Sequence, residues 1–417
     1  MNAEIIAVGS ELLLGQITNS NARFLSNHLA ELGINVYYHT VVGDNSERLK
    51  DTINIAENRA DLIIFTGGLG PTKDDLTKET IARHLGTTLE MDHEALDSIV
   101  AFFERAGRAM TENNKKQALV LKGSEVLVNH HGMAPGMLYK TETHTYMLLP
   151  GPPKEMEPMF QYEAKPKLAK LLNQADVILS HVLRFYGIGE AELEDRIQDI
   201  LEQQTNPTIA PLASDGEVTL RITAKTNTEE QAWKLIEEAK ATLLERVGDY
   251  LYGYDNDSLA SKAIDLLREQ QKTISAAESL TAGLFQSELA AVAGASWVLA
   301  GGVITYNEEM KISQLGISSE VLARFGVVSE ETAVAMAQAV RSKFNTDISV
   351  SLTGAAGPDA HGDQPAGTVW IGIATEEETK AYRLQLSGMR NTNRLRAVKL
   401  ALSYIIRTLT DGNARKI

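Results

Sequence analysis

The sequence predicts a multidomain α/β protein, and three observations carry that prediction. Its 417 residues exceed the length at which one hydrophobic core keeps growing. Apolar runs of strand length alternate with segments of helical periodicity up to about residue 172, and again from about 258. Several of these runs end in glycine-rich turns, such as FTGG and LTG, where a parallel sheet offers its backbone to a ligand.

In the first segment, residues 1–172, EIIAVG (Glu4–Gly9) reads as a strand, followed by a helix near Asn19–Leu32 that Gly33 closes. INVYYHTVV is the next strand, and a helix follows with Ser46 as the expected N-cap. DLIIFTGG (Asp61–Gly68) is an apolar strand that runs into a turn. DDLTKETIARHL is the helix after it, and TYMLLPGPP (Thr145–Pro153) is a further buried strand. The middle segment, 176–253, has the order βαββαβ of a small open-faced α+β sandwich. YDNDS (Tyr254–Ser258) is polar and turn-forming, the composition of a linker. The last segment, 257–417, alternates again: TISAAES, WVLAGGVITY, DISVSLTG, GTVWIGIAT and KAYRLQL read as strands, and Asn391–Leu409 as a final helix.

Composition narrows the function classes. Hydrophobic residues at 43% and charged residues at 23% argue against a disordered chain, and no apolar run approaches the roughly 20 residues of a bilayer span. MNAEIIAVGS lacks a basic leader, so a cytoplasmic location is expected and no membrane partner. The absence of cysteine excludes disulfides, thiolate metal sites and a cysteine nucleophile. A formal charge of -15 without a basic run makes direct nucleic-acid binding unexpected.

Four separated motifs in the last segment suggest a hydrolytic site: AESLTAG (Ala277–Gly283), GGVITYNEEMK (Gly301–Lys311), LTGAAGP (Leu352–Pro358) with PAGTVW, and SGMR (Ser387–Arg390). A strand is expected to end at Glu278 and a helix to begin near Thr281. That puts Ser279 beside free N–H groups able to hold the oxyanion of an attacked amide. Taken alone, Ser279 reads as a plain N-cap rather than a nucleophile. Lys311 is a better base than His361, which sits in the polar loop PDAHGDQ, but only if burial lowers its amine by roughly three units from about 10.4. Alone, Lys311 reads as an exposed helix lysine. Thr353 offers a hydroxyl at a strand end, and Tyr306 a ring or hydrogen bond. The GAAGP loop, with Gly354 and Gly357, admits an anion close to the backbone, and Arg390 can pair with phosphate.

These four motifs resemble, in order, the ESCTGG, TYSNEAK, SGIAGP with PVGTVW, and SGDR patterns of the CinA family's C-terminal domain and of stand-alone nicotinamide-nucleotide amidases. The resemblance implies hydrolysis of nicotinamide mononucleotide to nicotinate mononucleotide and ammonia without a metal. Ser279, Lys311, Thr353 and Tyr306 take the catalytic positions, and Thr281, Gly354, Gly357 and Arg390 the substrate-binding ones. The sequence departs from the patterns at Ala282, at Met389 and in DAHGDQ.

A second motif set lies in the first segment: VGSELLLGQITNSN (Val8–Asn21), VGDN (Val42–Asn45), TGGLGPTKDDLT (Thr66–Thr77) and LPGPPKEM (Leu149–Met156). Asp44, Asp74 and Asp75 are expected to converge beside a phosphate-cradling loop, which implies a divalent cation such as magnesium. Taken singly, each acid reads as a helix cap, and Asp74 especially as a helix-start acid. The segment resembles the molybdopterin-binding fold and, more closely, the CinA N-terminal domain. That resemblance puts Asp44 and Asp75 at the metal positions, Gly67, Gly68 and Gly70 in the phosphate loop with Asp74 beside it, and Glu11 and Asn19 in the first loop. It also implies ADP-ribose hydrolysis to AMP and ribose 5-phosphate, with a molybdopterin-like ligand still open, and a homodimer. A non-catalytic nucleotide sensor, or a protein partner in competence or DNA damage, is the alternative of a different class.

Overall fold

The computed structural model describes residues 1–172, 177–214 and 216–410. Position 176, the expected start of the middle segment, and the last residues to 417 lie outside them. The chain divides into two compact units, residues 1–179 with 225–232, and residues 180–224 with 233–417.

The first unit is built on a six-stranded sheet in the order Asn35–Val42, Asn2–Val8, Leu62–Thr66, Thr145–Leu149, Gly136–Lys140, Glu125–Leu127. The first four strands run parallel and the last two form an antiparallel edge. Both faces are covered: Ile63 and Phe65 enter one core cluster, Leu62 and Ile64 the other. A strand buried on both faces needs a continuous apolar run, which is why DLIIFTGG is legible. The three-residue strands Leu89–Met91, Leu119–Leu121 and Glu125–Leu127 were not expected. They are too short to display a period of two.

Two local expectations are corrected here. Asn45, not Ser46, caps the helix Ser46–Glu57, its Oδ1 accepting from Arg48 N at 3.0 Å, while Ser46 Oγ accepts from Arg83 at 2.8 Å. The helix after TGGLGP begins at Thr77, so Asp74 is an exposed loop residue and not a helix-start acid.

A four-stranded sheet, in the second unit except for residues 177–179 and 225–226, has the order Thr208–Ser214, Glu217–Thr226, Val177–Tyr186, Leu251–Tyr254. Tyr186 and Tyr252 of this sheet share a core cluster with Leu259, Ile264 and Ile405, and Lys399 Nζ lies 2.8 Å from Glu217 Oε1. A five-stranded sheet follows, in the order Leu299–Ile304, Ile274–Glu278, Ile348–Gly354, Thr368–Ala374, Thr379–Gln385. Its first three strands are parallel and its last two antiparallel. The helices Leu259–Glu269 and Arg390–Leu409 contribute to one core cluster, and Met336 and Val340 of helix Glu330–Phe344 to another with Ala277. Among the described residues, no helix is long and apolar enough to cross a membrane.

Candidate functional site

In the five-stranded sheet, Glu278 is in register with Ile304 on one neighbour and Leu352 on the other. The three parallel strands therefore end side by side, and the loops that leave them meet at the carboxyl edge, where open α/β sheets bind ligands. A cavity of about 530 Å³ opens there, lined by Ser279, Tyr306, Lys311, Thr353, Gly354, Gly357 and Arg390 among others.

Lys311 comes from the helix Glu308–Leu315, whose cap Asn307 accepts from Met310 N at 2.9 Å. The expectation of an exposed lysine is overturned, since Lys311 is only 2% exposed. Its Nζ donates to Ser279 Oγ at 3.1 Å and to the Thr305 carbonyl at 2.8 Å. Burial pulls the amine down from 10.5 to about 8, with Glu308 opposing the shift.

The expected helix start is also corrected. The helix is Leu284–Ala290, five residues beyond Ser279. Its N–H groups are taken by the buried Glu278 carboxylate, which accepts from Gly283, Phe285 and Gln286 N at 2.9, 3.1 and 3.0 Å. Ser279 N donates to the Leu352 carbonyl at 2.8 Å. Leu280, Ala356 and Gly357 are among the cavity-lining residues whose backbone N–H groups have no protein acceptor among the described residues.

The remaining predicted side chains divide by where their polar atoms go. Thr353 donates its hydroxyl to the Val327 carbonyl at 2.6 Å, so its proton is committed to the fold. The Tyr306 hydroxyl accepts from Arg390 Nη2 at 2.9 Å rather than meeting the serine, and Arg390 Nη1 donates to the Gly357 carbonyl at 2.8 Å. Thr281 is fully buried and does not line the cavity. Asp359 and His361 of the polar loop do line it, which no periodicity or spacing could signal. Glu278 and Arg394 were likewise not anticipated.

A second cavity, of about 620 Å³, lies at the carboxyl edge of the first unit's sheet. It gathers Glu11, Asn19, Asp44, Gly67, Gly68, Gly70, Asp74 and Asp75. Gly67 and Gly68 have φ of 101° and 67°, and a Cβ on them would come within 2.3 Å of the Val8 carbonyl oxygen and 2.0 Å of Thr77 Oγ1. Only glycine fits either position. Asn19 spends its side chain capping the helix Ser20–Glu31. Asp44 Oδ2 accepts from Ser10 N and Oγ at 3.0 and 2.8 Å, and Asp75 Oδ2 from Thr72 N and Oγ1 at 2.8 and 2.6 Å.

The lining of this cavity holds five carboxylates, those of Glu11, Asp44, Asp74, Asp75 and Glu155, and no Lys, Arg or His. Among the described residues no three acidic or histidine side chains are grouped to hold a metal ion. Among the described residues, the Oδ1 atoms of Asp44 and Asp75 have no protein donor. Two such oxygens suit a magnesium-type ion that takes one or two carboxylates and completes its shell from water and ligand phosphate, not an ion caged by protein.

Comparison with known proteins identifies the segments of the chain. Residues 256–409 match the CinA C-terminal domain family, 4–170 the probable molybdopterin binding domain family, and 180–253 the damage-inducible protein CinA KH domain family. A putative competence-damage inducible protein of Lysinibacillus sphaericus is 66% identical over 417 residues, the whole of both chains. One from Bacillus subtilis is 54% identical over 407 residues, 98% of each chain. Among solved structures, a CinA protein from Thermoplasma acidophilum is 35% identical with a TM-score of 0.37, covering 40% of this chain and 97% of its own. With two CinA segments behind a molybdopterin-binding-type domain and relatives aligned end to end, the chain belongs to the CinA family of competence-damage inducible proteins.

Proposed function

We propose that the C-terminal cavity hydrolyses the carboxamide of nicotinamide mononucleotide to nicotinate mononucleotide and ammonia. The observation that carries this reading is the buried Lys311 amine, 3.1 Å from Ser279 Oγ and pulled down to about 8. An amine with that affinity for protons is partly neutral near pH 7 and can take the serine proton.

In the first half-reaction Ser279 Oγ bonds to the carboxamide carbon while its proton passes to Lys311 Nζ. The Leu280 N–H, next in the chain to Ser279, is available to the oxyanion. Collapse of the tetrahedral adduct breaks the C–N bond, and Lys311 returns the proton to the departing nitrogen, which leaves as ammonia. Water then attacks the acyl-serine, giving one proton to Lys311 and its oxygen to the new carboxyl group, which releases the second proton to solvent or ammonia as it ionises. Lys311 passes its proton to Ser279 Oγ as the ester bond breaks. Arg390 and the free N–H groups of Ala356 and Gly357 suit the substrate phosphate. Ammonia release from nicotinamide mononucleotide tests the reading. It fails if Ser279→Ala releases ammonia as fast as the unmodified chain.

The first unit's cavity is assigned a second activity, the addition of water across the diphosphate of ADP-ribose to give AMP and ribose 5-phosphate. Gly67, Gly68 and Gly70 bring backbone close to the phosphates. Asp44 and Asp75 would hold a divalent cation, which supplies charge neutralisation when bound. What favours a cation requirement is a lining with five carboxylates and no basic side chain, which by itself repels a diphosphate.

A further inference from the structure

The segment between Glu278 and Leu284 is neither strand nor helix, and it carries the serine. Ala282 and Gly283 both lie in the left-handed region, with φ of 51° and 94°. Backbone of this kind leaves N–H and C=O groups without ladder partners, and when buried they must find others. Two side chains of opposite charge supply them. Glu278, fully buried, accepts from Gly283, Phe285 and Gln286 N and from Gln286 Nε2 at 3.0 Å. Arg394 donates from Nε to the Leu280 carbonyl at 3.0 Å and from Nη2 to the Thr281 carbonyl at 2.8 Å.

Neither side chain lines the cavity, so neither touches a substrate held there. Arg394 lies one helical turn beyond Arg390 on the same helix. Arg390 reaches Tyr306 and Gly357 at the cavity, whereas Arg394 reaches the carbonyls of the two residues that follow the serine in the chain. A Cβ on Gly302 would come within 2.3 Å of the Ala276 carbonyl oxygen and 2.6 Å of Gln286 Oε1, so glycine leaves room for that glutamine.

We propose that Glu278 and Arg394 are positioning residues that grip the Ser279 turn, one by its N–H groups and one by its carbonyls, and so set the direction of Oγ toward Lys311. The proposal rests on Ser279 being the attacking serine. Side chains that only hold geometry act on the chemical step and leave ground-state binding alone.

The test uses the full chain and the variants Arg394→Met, Arg394→Lys and Glu278→Gln. Two readouts are followed across pH: nicotinamide mononucleotide kinetics, and the rate at which a fluorophosphonate labels Ser279. Arg394→Met should lower kcat and the labelling rate by about 10- to 100-fold, the scale of a misplacement near 1 Å. KM should stay within about threefold and the ascending pH limb should not move, with Arg394→Lys recovering part of the loss. Arg394 is partly exposed, so its variants keep the test open if Glu278→Gln does not fold. Unchanged kcat and labelling, or a loss confined to KM, overturns the proposal. Slow labelling in the variants with no deamidation by the unmodified chain would instead sink the amidase reading and leave the positioning role standing. No labelling of Ser279 in the unmodified chain at any pH overturns both.

Discussion

Lys311 Nζ donates to Ser279 Oγ at 3.1 Å while 32 residues away in sequence, and both groups are buried. The only other hydrogen bond from that amine among the described residues goes to a backbone carbonyl, and no carboxylate is paired with it. The base therefore owes its lowered proton affinity to packing.

A pH dependence follows. The kcat for ammonia release should rise through about 8 as Lys311 loses its proton, falling about tenfold per unit on the acid side. Lys311→Arg keeps the charge but cannot lose it, and should cost at least about 10²-fold in kcat. A flat profile between pH 6 and 9 would remove Lys311 from the mechanism.

The same burial costs stability. Because the folded amine titrates near 8 and the unfolded one near 10.5, the unfolded chain binds more protons between those values, and stability rises with pH across that window. Below pH 8 the penalty of the buried charge is present in full. Lys311→Met should therefore stabilise the protein at pH 7 by about 1–3 kcal/mol, and the gain should shrink as pH climbs from 8 to 10.5. Urea titrations of both proteins at pH 7 and 10 check the sign.

Ala282 stands where the family pattern has glycine, and its φ of 51° explains that preference. A side chain in the left-handed region costs about 1–2 kcal/mol, partly offset by the entropy glycine loses on folding. Ala282→Gly should raise the unfolding free energy by up to about 1 kcal/mol. A measured loss of stability would mean the methyl group makes a packing contribution larger than the strain.

ADP-ribose hydrolysis should require an added divalent ion and vanish with EDTA, since the lining offers no positive side chain to the diphosphate. Asp75→Asn should abolish it, and Asp44→Asn should weaken metal dependence and rate together. Undiminished hydrolysis in EDTA, followed by AMP release, would contradict the assignment of those two carboxylates.

Much of the fold was legible because its signal is local. Leu62–Thr66 and Thr145–Leu149 are buried along their whole length, and both announce themselves as apolar runs ending in glycine or proline. Leu89–Met91 and Leu119–Leu121 offer three residues each and pair only with one another, so nothing local marks them. The cavity residues were legible as motifs, since loops at adjacent parallel strand ends must meet. Where their polar atoms point was not. Tyr306 reaches Arg390, 84 residues on, and Thr353 reaches the Val327 carbonyl, 26 residues back.

By itself, then, the sequence determined the alternation of strands and helices, the glycine loops at their carboxyl ends, and the residue types available at both sites. Periodicity and turn chemistry are properties of neighbours in the chain, and they survive without the fold. Only the tertiary structure decided that Lys311 is desolvated, that Glu278 rather than an oxyanion receives the helix N–H groups, and that Arg394 reaches Thr281 from 113 residues away. Desolvation and hydrogen-bond pairing depend on which groups are packed together in space, and sequence spacing does not specify that.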